Sequence, residues 1–532
     1  QYQKITDYLE FGFHRLAING LDEISNQPLV MNDVVLVCNG EIYNYMELYD
    51  MLQSEDCEIA AKTNSDCEVI IHLYCKYGIT ETLRLLNGEF AFALYDKKLD
   101  KMWMSRDPHG VRALYYGENI ETGDVLFGSE LKVIHPFLEL QENLAIQQFP
   151  PGNIACIDFH ETDLVSASIK FSKYYTRPKC DVNILSCIKP SFQRILNDIN
   201  TALNNCVKRR VTTSDRPIAC LLSGGLDSSL ITALVAKHYG ASNLETYSIG
   251  MPGSEDSKYA EMVAKHLGTK HTTITLSEDE FFDAIPEVIN AIESYDTTTV
   301  RASVGNYLVS KYIANHSEAK VIFNGDGSDE ITGGYMYFHS SPNAESFDNE
   351  CHRLLDDIYT FDVLRSDKSI SSNGLEPRTP FLDREFVDMY MNIPLEYRYH
   401  VANKDCEKYL LRSAFSEEGL LPDKVLWRTK EAFSDGVSSQ KKSWYKIIED
   451  KIKERKDIEL LLSISPSVFI HNQPQTQEQL YYRCLFEKFY NGMGHIIPYF
   501  WMPRFVEAKD ASARTLSVYS TERLKNKLNS KV

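Results

Sequence analysis

One short stretch, residues 221–229 (LLSGGLDSS), constrains the fold more than any other. It follows the apolar run 218–222 and leads into a helical pattern over 229–237. A strand, a small-residue loop and a helix start in this order direct successive backbone N–H groups at one spot, and the helix N-terminus adds partial positive charge. The predicted ligand is an anion, of which phosphate is the commonest. Asp227 fits beside a phosphate only if a divalent cation lies between them.

The loop is not of the Walker type, G-x-x-x-x-G-K-[ST], because no Lys follows its glycines. A strand-to-helix turn capped by Ser is the plainer alternative, since turns rich in Ser and Gly are common. The complete S-G-G-L-D-S-S string after an apolar strand favours a phosphate site. The string resembles the pyrophosphate loop of the N-type ATP pyrophosphatases, enzymes that cleave ATP to AMP and pyrophosphate.

Length and composition limit the classes of protein. At 532 residues the chain is too long for one core, so two or three domains are expected. The net charge of −19 argues against nucleic acid as a partner, because phosphate backbones require a basic surface. No apolar run is as long as a membrane span, and the 12 cysteines form no C-x-x-C pair. We therefore expect a cytosolic protein with reduced cysteines and without a membrane partner.

Two kinds of pattern divide the chain. Residues 1–170 carry short apolar runs separated by turn residues, with helical patterns at 45–53 and 66–77, which predicts an α+β domain of stacked sheets with flanking helices. Residues 171–190 are interpreted as the connection. Residues 191–532 open with a helix and then alternate strand and helix, which predicts a doubly wound parallel sheet.

The sheet of the second domain is predicted from strands at 218–222, 245–250, 271–276 and 320–324. Single helices are predicted over 191–210, 256–267, 278–293 and 303–315. Ligands of such sheets bind at the carboxyl ends of the strands. Residues 440–532 carry few motifs and are expected to pack helices against this domain.

A second acidic loop, 324–330 (NGDGSDE), follows the last of these predicted strands. Its three carboxylates repel each other unless a cation or an ammonium group lies among them. A solvated acidic turn is the alternative. The Gly-x-Gly frame after an apolar strand favours a binding site.

Two N-terminal segments, 13–18 (FHRLAI) and 38–44 (CNGEIYN), place polar groups beside apolar runs. Each segment alone is explained equally well by a turn or a surface ion pair. Together they resemble the glutaminase domain of the class II glutamine amidotransferases, an αββα fold of stacked antiparallel sheets. Further matching segments are 87–94, 105–112, 127–130 and 150–152.

The resemblance implies a glutamine site, since a free amino acid carries two opposite charges. Arg15 would bind the α-carboxylate, and Glu41 with Asp66 would bind the α-ammonium group. Asn39 and Gly40 would be catalytic, because they form the oxyanion hole that stabilises the tetrahedral intermediate. The glutamine-binding set implied in this way is Arg15, Leu16, Ala17, Ile18, Asn39, Gly40, Glu41 and Asp66.

The nucleophile of this family is a Cys at the start of the mature chain, whose own α-amine serves as base. The sequence begins with Gln1 and contains neither that Cys nor the family's His-Arg-Gly-Pro-Asp motif. We expect both in a segment that precedes Gln1. On this interpretation the chain as given does not hydrolyse glutamine, whereas the complete product does.

Three more segments, 293–303 (ESYDTTTVRAS), 374–383 (GLEPRTPFLD) and 427–436 (WRTKEAFSDG), extend the resemblance to the asparagine synthetase family, and 512–516 (SARTL) resembles its eukaryotic type. That family uses ATP, Mg²⁺ and ammonia derived from glutamine to convert aspartate to asparagine through a β-aspartyl-AMP intermediate, with release of AMP and pyrophosphate. The implied partners are these small molecules, and a homodimer is one option for the assembly.

The family roles carry over to both acidic loops and the later motifs. Asp227 and Asp329 would hold Mg²⁺ on the pyrophosphate, and Thr298 with Arg301 would bind aspartate. Lys430 would neutralise charge as the aspartate oxygen attacks the α-phosphorus. The ATP-binding set implied by the resemblance is Leu221, Ser223, Gly224, Gly225, Asp227, Ser228, Ile249, Asn324 and Gly325.

Asp326 departs from human-like members of the family, which usually have Glu at this position. The position assists the attack of ammonia on the intermediate. Asp is one methylene shorter, so the role requires a loop that lies closer. Two alternatives remain at this point. One is an ammonia-dependent or β-lactam synthetase-like enzyme with a non-functional glutaminase half, and the other is a non-enzymatic protein with an inactive site.

Overall fold

The computed structural model divides into two units. One unit contains Gln1–Arg177 and Thr212–Arg216, and the other contains Pro178–Val211 and Pro217–Val532. Residues 180–189, which make up much of the predicted connection, lie outside the described residues. The described residues are 1–160, 169–179, 190–403, 406–508, 510–517 and 519. Among them we find no helix that combines the length and the apolar character required to cross a membrane.

Strands predominate in the first unit. The described strands are β1 (Tyr2–Lys4), β2 (Glu10–Gly12), β3 (Leu29–Met31), β4 (Val34–Ile42), β5 (Gly88–Asp96), β6 (Lys101–Arg106), β7 (Tyr115–Asn119), β8 (Val125–Gly128), β9 (Leu144–Gln148), β10 (Asn153–Asp158) and β11 (Lys170–Lys173). The helices are α1 (Tyr45–Glu55), α2 (Val69–Tyr77), α3 (Ile79–Leu85) and α4 (Leu131–Ile134).

These elements stack in four layers. Strands in the order β11-β10-β6-β5-β4-β3 form one antiparallel sheet, and β8-β7-β9 form another. Along β4, Val34 and Leu36 face the core shared with helices α1 to α3, whereas Val35 faces the core shared with the second sheet. Helix α4 packs on β7 and β8. Both faces of the large sheet are therefore buried, and the predicted αββα layering is confirmed.

The second unit is built on one sheet of five parallel strands in the order β14-β13-β12-β15-β16. The strands are β12 (Ile218–Leu221), β13 (Glu245–Gly250), β14 (Lys270–Thr275), β15 (Val321–Phe323) and β16 (Glu376–Arg378). The predicted parallel sheet is confirmed. The chain runs outward from β12 to β14 and then returns to the other side of β12, so a topological switch point lies between β12 and β15.

Helices make up most of the remaining chain. The described helices are α5 (Phe192–Thr212), α6 (Leu226–Tyr239), α7 (Glu255–Leu267), α8 (Glu278–Asp283), α9 (Ile285–Ile292), α10 (Thr297–His316), α11 (Ser328–Thr332), α12 (Ala344–Asp357), α13 (Asp362–Ser371), α14 (Arg384–Met391), α15 (Leu395–Arg398), α16 (His400–Asn403), α17 (Tyr409–Ala414), α18 (Asp423–Leu426), α19 (Phe433–Gly436), α20 (Trp444–Glu454), α21 (Lys456–Glu459) and α22 (Gln477–Phe489).

Two helix predictions need correction. The single helix expected over 278–293 is the pair α8 and α9, with Pro286 in the first turn of α9, where its missing N–H is tolerated. Helix α10 begins at Thr297 instead of 303, because the Asp296 carboxylate accepts the Thr299 N–H at 2.9 Å and caps it. Near the C-terminus, α22 packs on α9 and α10, so the expected packing of later helices on this unit is confirmed.

Candidate active site

The loop between β12 and α6 lies at the switch point of the sheet. The N–H of Ser223 donates to Oγ of Ser228 at 3.1 Å, and the two hydroxyls are 2.9 Å apart, which closes the loop on itself. Gly224 has φ of +72°, and a Cβ there would lie 2.4 Å from the backbone nitrogen of Ala260. Only glycine fits this position, which lets the loop lie directly against α7.

The second acidic loop, 324–330, contacts the first loop. A Cβ on Gly325 would lie 2.7 Å from the Asp227 carbonyl carbon and from the Ser228 nitrogen. The Ser328 hydroxyl donates to Oδ1 of Asp227 at 2.8 Å. Both loops follow parallel strands on either side of the switch point, where ligands of open α/β sheets bind. Their acidic side chains consequently share one site.

Two lysines join the acidic side chains of these loops. Nζ of Lys408 lies 2.6 Å from both carboxylate oxygens of Asp227 and 2.8 Å from Oδ1 of Asp329. Nζ of Lys430 donates to Oδ2 of Asp329 and lies 3.4 Å from Oδ2 of Asp227. The four side chains are mostly buried, and their two positive and two negative charges balance.

This pairing shifts the pKa values of both partners. Burial alone would raise the pKa of Asp227, but the charges of Lys408 and Lys430 outweigh burial and hold that pKa well below its usual value. Burial alone would lower the pKa of Lys430, but Asp329 and Asp227 raise that pKa above its usual value. Asp227 and Lys430 are therefore both charged at neutral pH.

The two aspartates fit a divalent cation. Their carboxylates converge on one point, since Nζ of Lys408 lies within 2.8 Å of oxygens from both. Carboxylate oxygens are the ligands that Mg²⁺ prefers, together with phosphate oxygens of a nucleotide. The lysine ammonium groups supply the positive charge that a bound polyphosphate requires. The arrangement thus suits a metal–nucleotide complex.

The site opens into a cavity of about 1570 Å³, a volume that includes its mouth toward solvent. Gly224 and Arg301 do not line its described wall. The predicted site residues that line it are Leu221, Ser223, Gly225, Asp227, Ser228, Ile249, Thr298, Asn324, Gly325, Asp326, Asp329 and Lys430.

The two predicted aspartate-binding residues lie in different surroundings. Thr298 lines the cavity, and its buried hydroxyl has no hydrogen-bond partner within the described part of the chain. The guanidinium of Arg301 is bound by Glu478 and, at 2.8 Å through two nitrogens, by Asp510. A substrate carboxylate would have to displace Asp510 to reach it. The role of Arg301 in aspartate binding stays a prediction.

Asp326 belongs to a second cluster of polar and charged side chains at the cavity. Oδ1 of Asp326 accepts from Nη2 of Arg365 at 3.1 Å, and the same nitrogen donates to Asp362 at 3.0 Å. Tyr335 donates to Glu330 at 2.5 Å and to Asp362 at 3.2 Å. Burial and the charges of Asp362 and Asp329 raise the pKa of Glu330 well above its usual value. All of these side chains line the cavity.

Sequence reasoning missed several of these residues. Lys408 lies in the string DCEKYLLR, which has the charge pattern of an exposed helix start and offers no motif. Asp362 and Arg365 belong to α13, whose pattern we had assigned to no site. Lys408 can be recognised only in the folded structure, where a Cβ added to Gly334 would lie 2.1 Å from Cε of Lys408.

In the first unit, the predicted glutamine residues lie around the end of β4. The amide of Asn19 donates to the Glu41 carboxylate, while the Asn19 carbonyl accepts from Arg15 at 2.8 Å. The N–H of Ile42 donates to Oδ2 of Asp66 at 2.6 Å. Glu41 and Asp66 are both buried. The structure therefore brings Arg15 and the two carboxylates into one region.

The predicted oxyanion residues belong to β4 itself, which continues past them to Ile42. Gly40 has φ of +146°, and a Cβ there would lie 2.0 Å from the Glu89 carbonyl oxygen, so only glycine fits. The side-chain amide of Asn39 donates to the hydroxyl of Ser129 at 3.3 Å. The guanidinium of Arg15 is bound by carbonyl oxygens of Asn19, Gly20 and Asp22 and by the amide oxygen of Asn26.

The segment beside Arg15 is held by the returning chain at 212–216. The carbonyl of Ala17 accepts from Nε of Arg216 at 3.0 Å, and that of Ile18 accepts from the N–H of Asp215 at 3.1 Å. The side chain of Leu16 is exposed. These contacts fix the backbone of the predicted glutamine-binding segment, and its ligand contacts stay a prediction.

Comparison with known proteins covers nearly the whole chain. Residues 198–346 and 339–518 match the family model for asparagine synthase, and residues 3–152 match the model for a glutamine amidotransferase domain. The chain is 41% identical to "Asparagine synthetase [glutamine-hydrolyzing]" of Gallus gallus, over 96% of this chain and 91% of that protein. It is 39% identical to the proteins of the same name from Rattus norvegicus and Homo sapiens, over 98% of this chain and 94% of each relative.

Proposed function

Because the chain belongs to the family of glutamine-hydrolysing asparagine synthetases, we propose that it amidates the side chain of L-aspartate with ATP and with ammonia derived from glutamine. The observation that carries this proposal is the buried cluster of Asp227, Asp329, Lys408 and Lys430 at the switch point, which suits a polyphosphate and a cation. We assign the glutaminase part to residues 1–170, the connection to 171–190 and the synthetase part to 191–532.

The first step activates a poor acceptor. Hydroxide is a poor leaving group, so ammonia does not displace it from a carboxylate. A side-chain oxygen of aspartate attacks the α-phosphorus of ATP, the bond to the β-phosphate oxygen breaks, and pyrophosphate leaves. Ser223, Gly225 and Ser228 bind the leaving phosphates through N–H and O–H donors, and Lys430 neutralises charge that develops in the transition state.

The second step forms the amide. Ammonia attacks the acyl carbon of β-aspartyl-AMP, the bond to the AMP oxygen breaks, and the nitrogen releases one proton. Asp326 stands on the cavity wall and its carboxylate is oriented by Arg365 at 3.1 Å, which suits attraction of ammonium and acceptance of that proton. Thr298 offers a hydroxyl to the substrate from α10.

Mg²⁺ held by Asp227 and Asp329 would neutralise charge on the pyrophosphate leaving group. The protein's own part is to hold both carboxylates at one point, and the low pKa of Asp227 keeps the carboxylate of that residue ionised. Lys408 keeps the carboxylates paired before the nucleotide binds. In the first unit, Arg15, Glu41 and Asp66 supply charges that complement those of glutamine.

The direct test supplies aspartate, ATP and Mg²⁺ with either ammonium or glutamine. We expect AMP, pyrophosphate and asparagine in equal amounts with ammonium, and the glutamine arm tests the amidotransferase part separately. Asp227→Asn should reduce AMP formation by at least about 100-fold, whereas Asp423→Asn on the exposed side of α18 should not. Full activity of Asp227→Asn would refute the assigned metal role.

Two alternatives are less favoured. A carboxylate-activating enzyme of the β-lactam synthetase type would release pyrophosphate with a carboxylate other than aspartate, so a screen of carboxylates separates it from our proposal. A non-enzymatic protein would bind no Mg-ATP in calorimetry. The persistence of both acidic loops and of the charges around Arg15 favours the synthetase.

A further inference from the structure

The C-terminal motif 512–516 has no part in the chemistry above, yet it lies against the nucleotide cavity. Ala511, Ala513 and Leu516 form part of the cavity wall. Arg514 turns its side chain into the protein, where 9% of it is exposed. Burial of a guanidinium requires compensating partners, so its contacts indicate what the motif does.

Arg514 uses all three guanidinium nitrogens. Nε donates to Oε1 of Glu431 at 2.8 Å, and Nη2 donates to the same oxygen. Nη1 donates to Oγ of Ser438 at 3.2 Å and to the carbonyl of Ser439 at 3.0 Å. Tyr519 donates its hydroxyl to the same Glu431 oxygen at 3.2 Å. The C-terminal segment is thereby attached to Glu431, two residues before the start of α19.

The other oxygen of Glu431 leads to the phosphate loop. Oε2 lies 3.3 Å from Nη2 of Arg428, which also donates to Asp256 at 2.7 Å. The Arg428 guanidinium stacks on the ring of Tyr259 with 4.0 Å to the centroid. Its Nη1 donates to the carbonyl oxygen of Gly224 at 3.0 Å. A continuous series of charge-assisted hydrogen bonds therefore joins Arg514 to Gly224.

The orientation of the Gly224 carbonyl also sets the orientation of the Gly225 N–H. The C=O of Gly224 and the N–H of Gly225 belong to one trans peptide and point in opposite directions. With the carbonyl bound to Arg428, the N–H of Gly225 turns to Oγ of Ser223 at 3.3 Å. Ser223 and Gly225 line the cavity. A glycine is free to adopt other orientations, so the bond from Arg428 selects the observed one, in which the Gly225 N–H is bound to Ser223 and both residues line the cavity.

We propose that Arg514 is a positioning residue for phosphate binding, which acts through Glu431 and Arg428 on the loop at Gly224; this rests on the function proposed above. Glu431 lies between two guanidinium groups, and only 6% of its side chain is exposed. Without Arg514, Glu431 loses the guanidinium group that binds its Oε1. Arg428 is then drawn toward Glu431 and away from the Gly224 carbonyl, and the phosphate donors lose their orientation.

The test compares two ligands that differ in what they require of the loop. Inorganic pyrophosphate with Mg²⁺ needs the loop donors, whereas AMP lacks the β- and γ-phosphates. Calorimetry on Arg514→Met should show about tenfold weaker binding of pyrophosphate and unchanged binding of AMP. Arg514→Lys, which keeps the charge but not the fork, should fall between Arg514→Met and the unchanged protein. A merely structural loss would weaken both ligands alike.

Arg504→Met is the matched control, because Arg504 also lies near the C-terminus, is 57% exposed and contacts Glu350 instead of Glu431. It should bind both ligands like the unchanged protein. Equal pyrophosphate affinity in Arg514→Met and the unchanged protein would overturn the proposal, as would parallel weakening of AMP. If Arg514→Met does not fold, the binding of pyrophosphate and AMP to Arg514→Lys provides the test, and weaker binding of pyrophosphate alone supports the proposal. If the unchanged protein forms no asparagine, the proposed function is refuted, whereas the role of Arg514 is still judged from pyrophosphate and AMP binding.

Discussion

Nζ of Lys408 lies 2.6 Å from both carboxylate oxygens of Asp227, although 181 positions separate them in the chain. The ammonium group stands where the carboxylates of Asp227 and Asp329 converge, which is where a divalent cation would be held. Before the nucleotide binds, the lysine therefore neutralises the repulsion of the two carboxylates. A cation held at that position would free the ammonium group to neutralise charge on the phosphates.

Replacement of this lysine should affect both catalysis and metal binding. In Lys408→Met, Lys430 is the one lysine within the described residues that still pairs with the two carboxylates, so the protein without ligands should melt at a lower temperature. Added Mg²⁺ should raise the melting temperature more in the variant than in the unchanged protein, because the cation replaces the lost charge. Asparagine formation should fall about 100-fold, since phosphate charge is no longer neutralised.

The control for this prediction is Lys424→Met, which removes an exposed lysine of α18. It should change neither the melting temperature with Mg²⁺ nor the activity. An equal response to Mg²⁺ in Lys408→Met and the unchanged protein would show that the lysine does not compete for the cation position.

Asp326 should separate the two chemical steps. In Asp326→Asn the side chain keeps its size and its neighbour Arg365, but it neither attracts ammonium nor accepts a proton. In the first turnover, pyrophosphate release should persist within about threefold, while ammonium-dependent asparagine formation should fall about 100-fold, a loss typical of general-base removal. The measurement is the ratio of pyrophosphate to asparagine. Asp326→Glu should restore a ratio near one, and equal losses of both products in Asp326→Asn would contradict the assignment.

Much of the synthetase site was predictable because local sequence determines it. The two loops after β12 and β15 consist of small and acidic residues that follow apolar strands, and parallel strands bring their ends to one edge. The sheet order was not predictable, since any order of these short strands satisfies the same pattern. It is the order that places β15 beside β12 and brings Asp329 to Asp227.

Lys408 and the partners of Arg301 could not be predicted from local pattern. Lys408 reaches the site from a charged string with no periodic signature, and only Gly334 makes room for it. The motif around Arg301 indicated a substrate contact, yet its partners Glu478 and Asp510 come from segments more than 170 positions later. Contacts of this kind depend on the packing of elements that are distant in the sequence, so a short stretch of sequence does not predict them.

The glutamine site can be tested by measuring glutamine binding directly. Glu41 is buried beside Asn19 and is the predicted partner of the glutamine ammonium group. Glu41→Gln should weaken glutamine binding in calorimetry by about tenfold, because one charge-assisted contact is lost. Ammonium-dependent asparagine formation should not change. Glu47→Gln on the exposed face of α1 is the control, and unchanged glutamine affinity in Glu41→Gln would exclude the assigned role.

Asp383 should contribute to stability in a pH-dependent manner. It is fully buried, caps α14 and accepts from Arg210 at 2.6 Å; burial alone would raise its pKa, but Arg210 and Arg209 outweigh burial and lower it from 3.8 to about 2. A depressed carboxyl pKa stabilises the folded state above the unfolded-state pKa. That contribution is lost as the pH falls from about 4 to about 2. Asp383→Asn keeps an oxygen for the cap but removes the negative charge that pairs with the buried guanidinium of Arg210.

We therefore expect Asp383→Asn to lower the free energy of unfolding at pH 7 by about 3 kcal/mol. The difference from the unchanged protein should shrink below about pH 4, because the carboxyl group of the unfolded state then binds a proton while that of the folded state stays ionised. Urea unfolding at a series of pH values between 7 and 3 measures both effects. Asp388→Asn, on the same helix and 3.9 Å from Arg384, is the matched control and should cost less than about 0.5 kcal/mol. A difference that stays constant down to pH 3 would mean that Asp383 stabilises the fold through its hydrogen bonds and not through its charge.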